Sequence, residues 1–260
     1  MAGRGVLVTG TGGRIGQGIA RRFATEGAHV VVSDRTEEDV ERAATGVRNR
    51  GGTVTPIACD LTSEDDVERL AAQAIAATGG LDVLVNCAGI FPNCPVAEMA
   101  TYEWDTVYAV NVRAPFLLGR AVARHMLERG RGGSIVNVSS SAGESARTGG
   151  SHYCGSKAAL NMLTKTMAIE LGPSKIRVNA VAPGLVMDEV FQEPFPEGIG
   201  SYARALINGI PLRRTGSPDD IANAIFFLCS DEAEWISGEV LGVNGGSMAG
   251  RTHLPPSRRS

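Results

Sequence analysis

Short apolar runs take turns with longer alanine-rich stretches from one end of the chain to the other. The runs are GVLVTG, HVVVSD, TVTPIAC, LDVLVN, GSIVNVS, IRVNAVA and EVLGVN. Each has the length of a buried strand, and the stretches between them, near residues 15–27, 37–49, 64–77, 103–128, 153–171 and 218–229, have the length and spacing of helices. Parallel strands need a helix-length connection between them, so this alternation specifies a parallel sheet covered on both faces. The expected fold is α/β, a doubly wound, Rossmann-like sheet of seven parallel strands. No linker, repeat or shift in composition divides the chain. Residues 1–250 are therefore expected to form one domain, followed by a polar tail at 251–260, RTHLPPSRRS.

Composition removes several classes of function. With 260 residues and 43% hydrophobic content the chain can bury a sizeable core. A net charge of -3 provides no basic surface for nucleic acid, so no nucleic-acid partner is expected. No stretch approaches the roughly 20 apolar residues of a membrane span, and the first residues lack the pattern of a signal peptide. The expected setting is cytoplasmic, with no membrane partner. Cys59, Cys87, Cys94, Cys154 and Cys229 are odd in number and lack CxxC spacing, which suits reduced thiols and leaves no metal site to expect.

The first strand runs directly into TGTGGRIGQG, where closely spaced glycines let the backbone turn sharply before a helix begins. Free amides at such a helix start seat a pyrophosphate. A glycine-rich turn can also be only a tight connection, but this one stands between the first strand and the first helix, where a dinucleotide fingerprint requires it. The second strand ends at Asp34, at the distance where a carboxylate meets an adenosine ribose. A carboxylate there accepts from two hydroxyls and repels a 2'-phosphate, so NAD is expected in preference to NADP. The competing role for Asp34 is to cap the next helix, for which Thr36 is the better candidate. Arg35 beside it leaves some tolerance of NADP open.

Taken together, these stretches resemble the short-chain dehydrogenase/reductase family, in its classical branch, over nearly the whole chain. TGTGGRIG is similar to that family's TGxxxGxG, VNCAG at Val85–Gly89 to its NNAG, and SHYCGSK contains its YxxxK. RVNAVAPG resembles the segment leading to the nicotinamide, and GEVLGVNGG the final strand. The resemblance implies a nicotinamide dinucleotide and carbonyl/alcohol redox chemistry on a small-molecule alcohol or ketone. It implies Tyr153 and Lys157 as catalytic residues, with the serine thirteen positions before the tyrosine, which selects Ser140 from Ser139, Ser140 and Ser141. The flanking serines are expected to satisfy local backbone groups. The family's asparagine falls at Asn111. Pro115 lacks an amide hydrogen, so the Asn111 carbonyl loses its usual helical partner; it could hold a relay water, or the helix could merely be kinked there.

Tyr153 and Lys157 stand at i and i+4 and so share one helical face. A free tyrosine has a pKa of about 10, too high for an efficient base near neutrality. A neighbouring ammonium is expected to lower it, and the oxidised nicotinamide would add to that field. In alcohol oxidation Tyr153 would remove the hydroxyl proton as hydride leaves the carbinol carbon, with Ser140 bonded to the substrate oxygen and Asn111 connecting Lys157 to solvent. Lys157 would also bond the nicotinamide ribose.

By resemblance, Gly10, Arg14, Ile15 and Gly16 lie at the pyrophosphate and Asp60 and Leu61 beside the adenine. Asn86, Ala88 and Gly89 flank the adenosine half, and Pro183, Gly184 and Val186 border the nicotinamide. Gly89 and Gly184 could instead serve turn geometry alone. Two positions depart from the family pattern: Arg14 replaces a glycine, and Asp188 stands where relatives carry threonine. Relatives also place a lid near 187–211, where Phe191, Phe195 and Tyr202 would give an apolar lining suited to a hydrophobic or cyclic alcohol, or would only pack the lid down. His152 and Cys154 are expected on other helix faces than Tyr153. The resemblance implies a homotetramer. Two alternatives remain: an NADPH-dependent 3-oxoacyl-carrier-protein reductase, against which Asp34 argues, and a non-catalytic dinucleotide sensor, against which the complete catalytic set argues.

Overall fold

A computed structural model describes residues 1–187 and 207–250. Its strands are β1 (Gly5–Thr9), β2 (His29–Asp34), β3 (Thr53–Ala58), β4 (Val83–Asn86), β5 (Gly133–Val138), β6 (Ile176–Pro183) and β7 (Val240–Val243). The helices between them are α1 (Arg14–Thr25), α2 (Glu37–Arg48), α3 (Glu64–Thr78), α4 (Thr101–Tyr108), α5 (Ala114–Arg129), α6 (Ser151–Leu171) and α7 (Pro218–Cys229). All strand pairs are parallel, in the order β3-β2-β1-β4-β5-β6-β7. The expected doubly wound, seven-stranded fold is therefore the one observed.

Alternation along each strand splits its side chains between two cores. Val6, Val8, Val30, Val32, Val83 and Val85 face one way and pack with Ile19 and Phe23 of α1 and Ile221 and Ile225 of α7. Leu7, Val31, Leu84 and Ile135 face the other way and meet Leu70 of α3 and Leu117, Leu118 and Met126 of α5. Burial on both faces is why these strands read as unbroken apolar runs.

Helix starts follow from their caps. The hydroxyl of Thr36 accepts from the Asp39 amide at 3.2 Å, as expected of the better capping candidate, and Ser63 and Ser217 cap α3 and α7 in the same way. The single long helix expected over 103–128 is divided: α4 passes through a π-helical turn at Ala109–Arg113 into α5, and the Ala114 amide bonds the Ala109 carbonyl five residues back. Pro115 explains the slip, since it has no hydrogen to donate and its ring crowds the preceding turn.

Chain order reverses between β1 and β4, so the carboxyl ends of these two neighbours open a crevice, the usual place for a ligand in such sheets. No helix among the described residues is long and apolar enough to cross a membrane. Phe191, Phe195, Tyr202, Asp188, most of the expected lid and the 251–260 tail lie outside the described residues.

Candidate active site

At the end of β1 the backbone turns on Gly10, with φ +72°, and comes so close to β4 that a Cβ there would stand 2.6 Å from the backbone of Ala88. The Thr9 hydroxyl fastens the same junction by accepting from the amides of Cys87 at 3.2 Å and Ala88 at 3.3 Å. A side chain at Gly16 would strike the Gly10 carbonyl. The helix that follows differs from its neighbours. α2, α3 and α7 each begin with a hydroxyl cap and acidic residues in the first turn, whereas α1 begins at Gly13 with no side-chain cap and no acid. Its first amides and partial positive charge are left for an anion from outside the helix, and the glycine cradle gives that anion room. Arg14, exposed, and Ile15 open this helix, so the residues present fit a dinucleotide pyrophosphate.

Asp34 is held beside the turn. One carboxylate oxygen accepts from the Gly12 amide at 2.7 Å and the other from the Arg35 amide at 2.7 Å. Asp60 accepts from the Thr62 amide at 2.9 Å and hydroxyl at 2.7 Å, and so shapes the turn after β3. Leu61 lines a narrow crevice with Thr9, Asn86, Ala88 and Pro115. The side chain of Asn86 turns inward: its Nδ2 donates to Asn137 at 2.9 Å, and Asn137 in turn donates to Thr164 at 2.9 Å. Any outward contact at position 86 therefore comes from the backbone.

Gly89 and Gly184 do not need a positive φ. Their reason is space. A Cβ on Gly89 would stand 3.3 Å from Asn111 Oδ1 and 3.4 Å from Lys157 Nζ, so the absence of a side chain keeps open the gap between those groups. At Gly184 a Cβ would press on the Asn244 backbone at 2.8 Å where β6 and β7 end, next to Pro183. Val186 bridges to Gly216 beyond it.

Ser140, Tyr153, Lys157 and Asn111 gather at this end of the sheet. Asn111 is fully buried: its Oδ1 accepts from the Ile90 amide at 2.9 Å, and its Nδ2 donates to the Ile90 carbonyl at 2.9 Å and to Ser156 Oγ at 3.0 Å. Ser156 donates onward to the Tyr153 carbonyl at 2.7 Å, which ties the π turn to α6. Lys157 is buried, and its ammonium donates to the Val138 carbonyl at 2.8 Å. Burial lowers its pKa to about 8. Ser140 accepts from the Ala142 amide at 3.1 Å.

The expected lowering of Tyr153 by Lys157 is not found. Burial raises the phenol above its ordinary value, and the groups that pull it back are the Ser140 hydroxyl and the Arg147 guanidinium. The lysine stands 5.9 Å from the ring centre, with one of its N–H groups donating to Val138. The flanking serines divide as well. Ser139 donates to Asn161 and to the Lys157 carbonyl, fastening its loop to α6, while Ser141 Oγ is buried with no partner among the described residues. His152 does lie on another face from Tyr153, fully buried.

Spacing gave no sign of two residues at this site. Phe91 meets the Tyr153 ring edge-on at 6.2 Å, and Arg147 lies over that ring at 5.0 Å. Both come from loops without periodicity, so only the folded chain brings them to the tyrosine.

Comparison with known proteins agrees with this geometry. A family model described as enoyl-(acyl carrier protein) reductase matches residues 11–248. The chain is 40% identical to human dehydrogenase/reductase SDR family member 4, over 95% of this chain and 88% of that protein. It is 38% identical to the 7alpha-hydroxysteroid dehydrogenase of Escherichia coli K12, over 95% and 94%. The crystal structure of an NAD+-bound xylitol dehydrogenase superposes with a TM-score of 0.88 at 32% identity, covering 94% of this chain and 99% of that one. Fold, glycine cradle and relatives over most of the chain lead to one assignment: the chain belongs to the short-chain dehydrogenase/reductase family and is an NAD(P)-dependent oxidoreductase acting on CH–OH groups.

Proposed function

We propose an NAD-preferring dehydrogenase of secondary alcohols that also runs in reverse as a ketone reductase, with Tyr153 as general acid and base. The observations that carry this reading are that Asn111 and Lys157 face the gap left by Gly89, and that the Tyr153 hydroxyl meets Ser140 with Lys157 Nζ 5.9 Å from its ring centre.

A nicotinamide dinucleotide bound at the turn would supply the donor or acceptor of hydride. Gly10, Arg14, Ile15 and Gly16 would hold its pyrophosphate and Asp34 its adenosine ribose. Asp60 and Leu61 would border the adenine, with the 86–89 backbone between. Pro183, Gly184 and Val186 would border the nicotinamide. Tyr153 takes the hydroxyl proton in oxidation and returns it in reduction, and Ser140 bonds the substrate oxygen. In the reductive direction the raised phenol is already in the protonated form the step needs. Lys157 remains charged at neutral pH because its amine titrates at about 8, and its field favours the phenolate during oxidation. Asn111 grips Ile90 through both ends of its amide and so keeps the Gly89 gap open toward Lys157.

Assembly as a homotetramer belongs to the same reading. Its support is exposed apolar surface on Phe116 of α5, Met162 and Ile169 of α6, and Trp235 and Leu241 near β7. The test is a screen of secondary alcohols and ketones, followed by absorbance of the reduced cofactor, with NADH and NADPH compared. Turnover with NADH preferred upholds the proposal. A strong preference for NADPH removes the ribose assignment, and no turnover with either removes the proposal.

A further inference from the structure

Two loops frame the outer side of Tyr153, and they are stitched together. Arg147 donates to the Phe91 carbonyl at 3.3 Å, and the Cys94 amide donates to the Gly149 carbonyl at 2.9 Å. The Arg147 stem lies where a side chain at Gly150 would be, since a Cβ there would meet its Cγ at 2.8 Å. The guanidinium is thereby placed 5.0 Å from the centre of the Tyr153 ring, beside the exposed Phe91.

Some arginines elsewhere, Arg42, Arg69, Arg120 and Arg214 among them, sit against carboxylates. Among the described residues Arg147 has no acidic partner; its one hydrogen bond is to a neutral carbonyl. A planar fork of donors held over the reacting tyrosine, with its charge unmatched by the protein, is suited to a carboxylate. The other cation at the ring, Lys157, is buried and bonded to Val138. One available cation matches a monoanion better than a phosphate.

We propose that Arg147 determines specificity by binding a carboxylate on the substrate, so that the enzyme acts on hydroxy acids and their oxo acids. The carboxylate lies a few carbon atoms from the carbinol, and the carbon chain rests against Phe91. The inference rests on the dehydrogenase reading above and names its substrate class.

The test measures kcat/KM for short 2-, 3- and 4-oxo carboxylates, each against its own methyl ester, in the wild type, Arg147→Met and Arg147→Lys. Each pair shares the proton transfer at Tyr153, so the acid-to-ester ratio isolates recognition of the charge. At least one acid is expected to exceed its ester in the wild type. Arg147→Met should lower that ratio about ten- to a hundredfold, mostly through KM, and Arg147→Lys should restore part of it. Equal loss on acid and ester, or no acid preference in the wild type, overturns the inference while leaving the dehydrogenase reading intact. If the wild type turns over no acid and no ester with either cofactor, the inference is overturned, and the dehydrogenase reading is decided by the wider screen of secondary alcohols and ketones.

Discussion

The ammonium of Lys157 stands 5.9 Å from the centre of the Tyr153 ring, and its hydrogen bond of 2.8 Å goes to the carbonyl of Val138. That place is buried. Burial brings its pKa down to about 8 from the usual lysine value, and this has a consequence for stability. As pH rises from about 8 toward about 10.4, the unfolded chain still holds this proton and the folded chain has released it. Rising pH therefore favours the folded state through this group. Compared with Lys157→Met in urea unfolding, the wild type should gain about 2 kcal/mol between pH 8 and about 10. Parallel curves for the two proteins would contradict the depressed amine. The comparison is needed because the thiols of buried Cys59 and Cys229 and of half-buried Cys87 are pushed up to about 11 or 12 and pull the other way.

Asp34 both braces the Gly12 amide and presents its charge where the ribose is expected. Asp34→Asn can keep an acceptor for the Gly12 amide while removing the charge and the acceptor of the exposed Arg35 amide. The ratio of kcat/KM for NADP over NAD should rise at least about tenfold, with little change in melting temperature. An unchanged ratio in a stable variant would remove Asp34 from cofactor choice.

Glycines at the turn and on the surface should respond in opposite directions. Gly10→Ala combines a φ of +72° with a Cβ 2.6 Å from the Ala88 backbone, and should cost about 2 kcal/mol or more and abolish dinucleotide binding. Gly46→Ala, inside α2 with nothing within 4 Å of the new methyl, should stabilise by about 0.5–1 kcal/mol. Urea unfolding and titration with NAD at equal protein concentration would check both. Similar effects at the two sites would show that close packing at the turn is not what sets them apart.

The sheet could be read from the residues because strands such as Val6–Val8 and Val30–Val32 are buried on both faces and leave unbroken apolar runs. The break at Pro115 was visible as chemistry, but the shape it takes, a π turn carrying Asn111, depends on Ile90 and Ser156 arriving from distant parts of the chain. Tyr153 and Lys157 share a face because helical spacing requires it. The direction of the Tyr153 shift was not legible, since it comes from burial in the fold, which outweighs the opposing pull of Ser140 and of Arg147, a loop residue with no spacing to announce it. His152 belongs to the same class: it is fully buried, and neither ring nitrogen has a partner among the described residues, which nothing in SHYCGSK foretells.

The central claim is that the Tyr153 hydroxyl moves the proton. Its most direct test is Tyr153→Phe, with NAD affinity measured by titration and turnover measured on the best alcohol and ketone found for the wild type. The phenyl ring keeps the packing against Phe91 and Arg147, so binding should stay within a few-fold of wild type while kcat falls by about a hundredfold or more in both directions. A variant that binds NAD normally and retains turnover within about tenfold of the wild type would contradict the account.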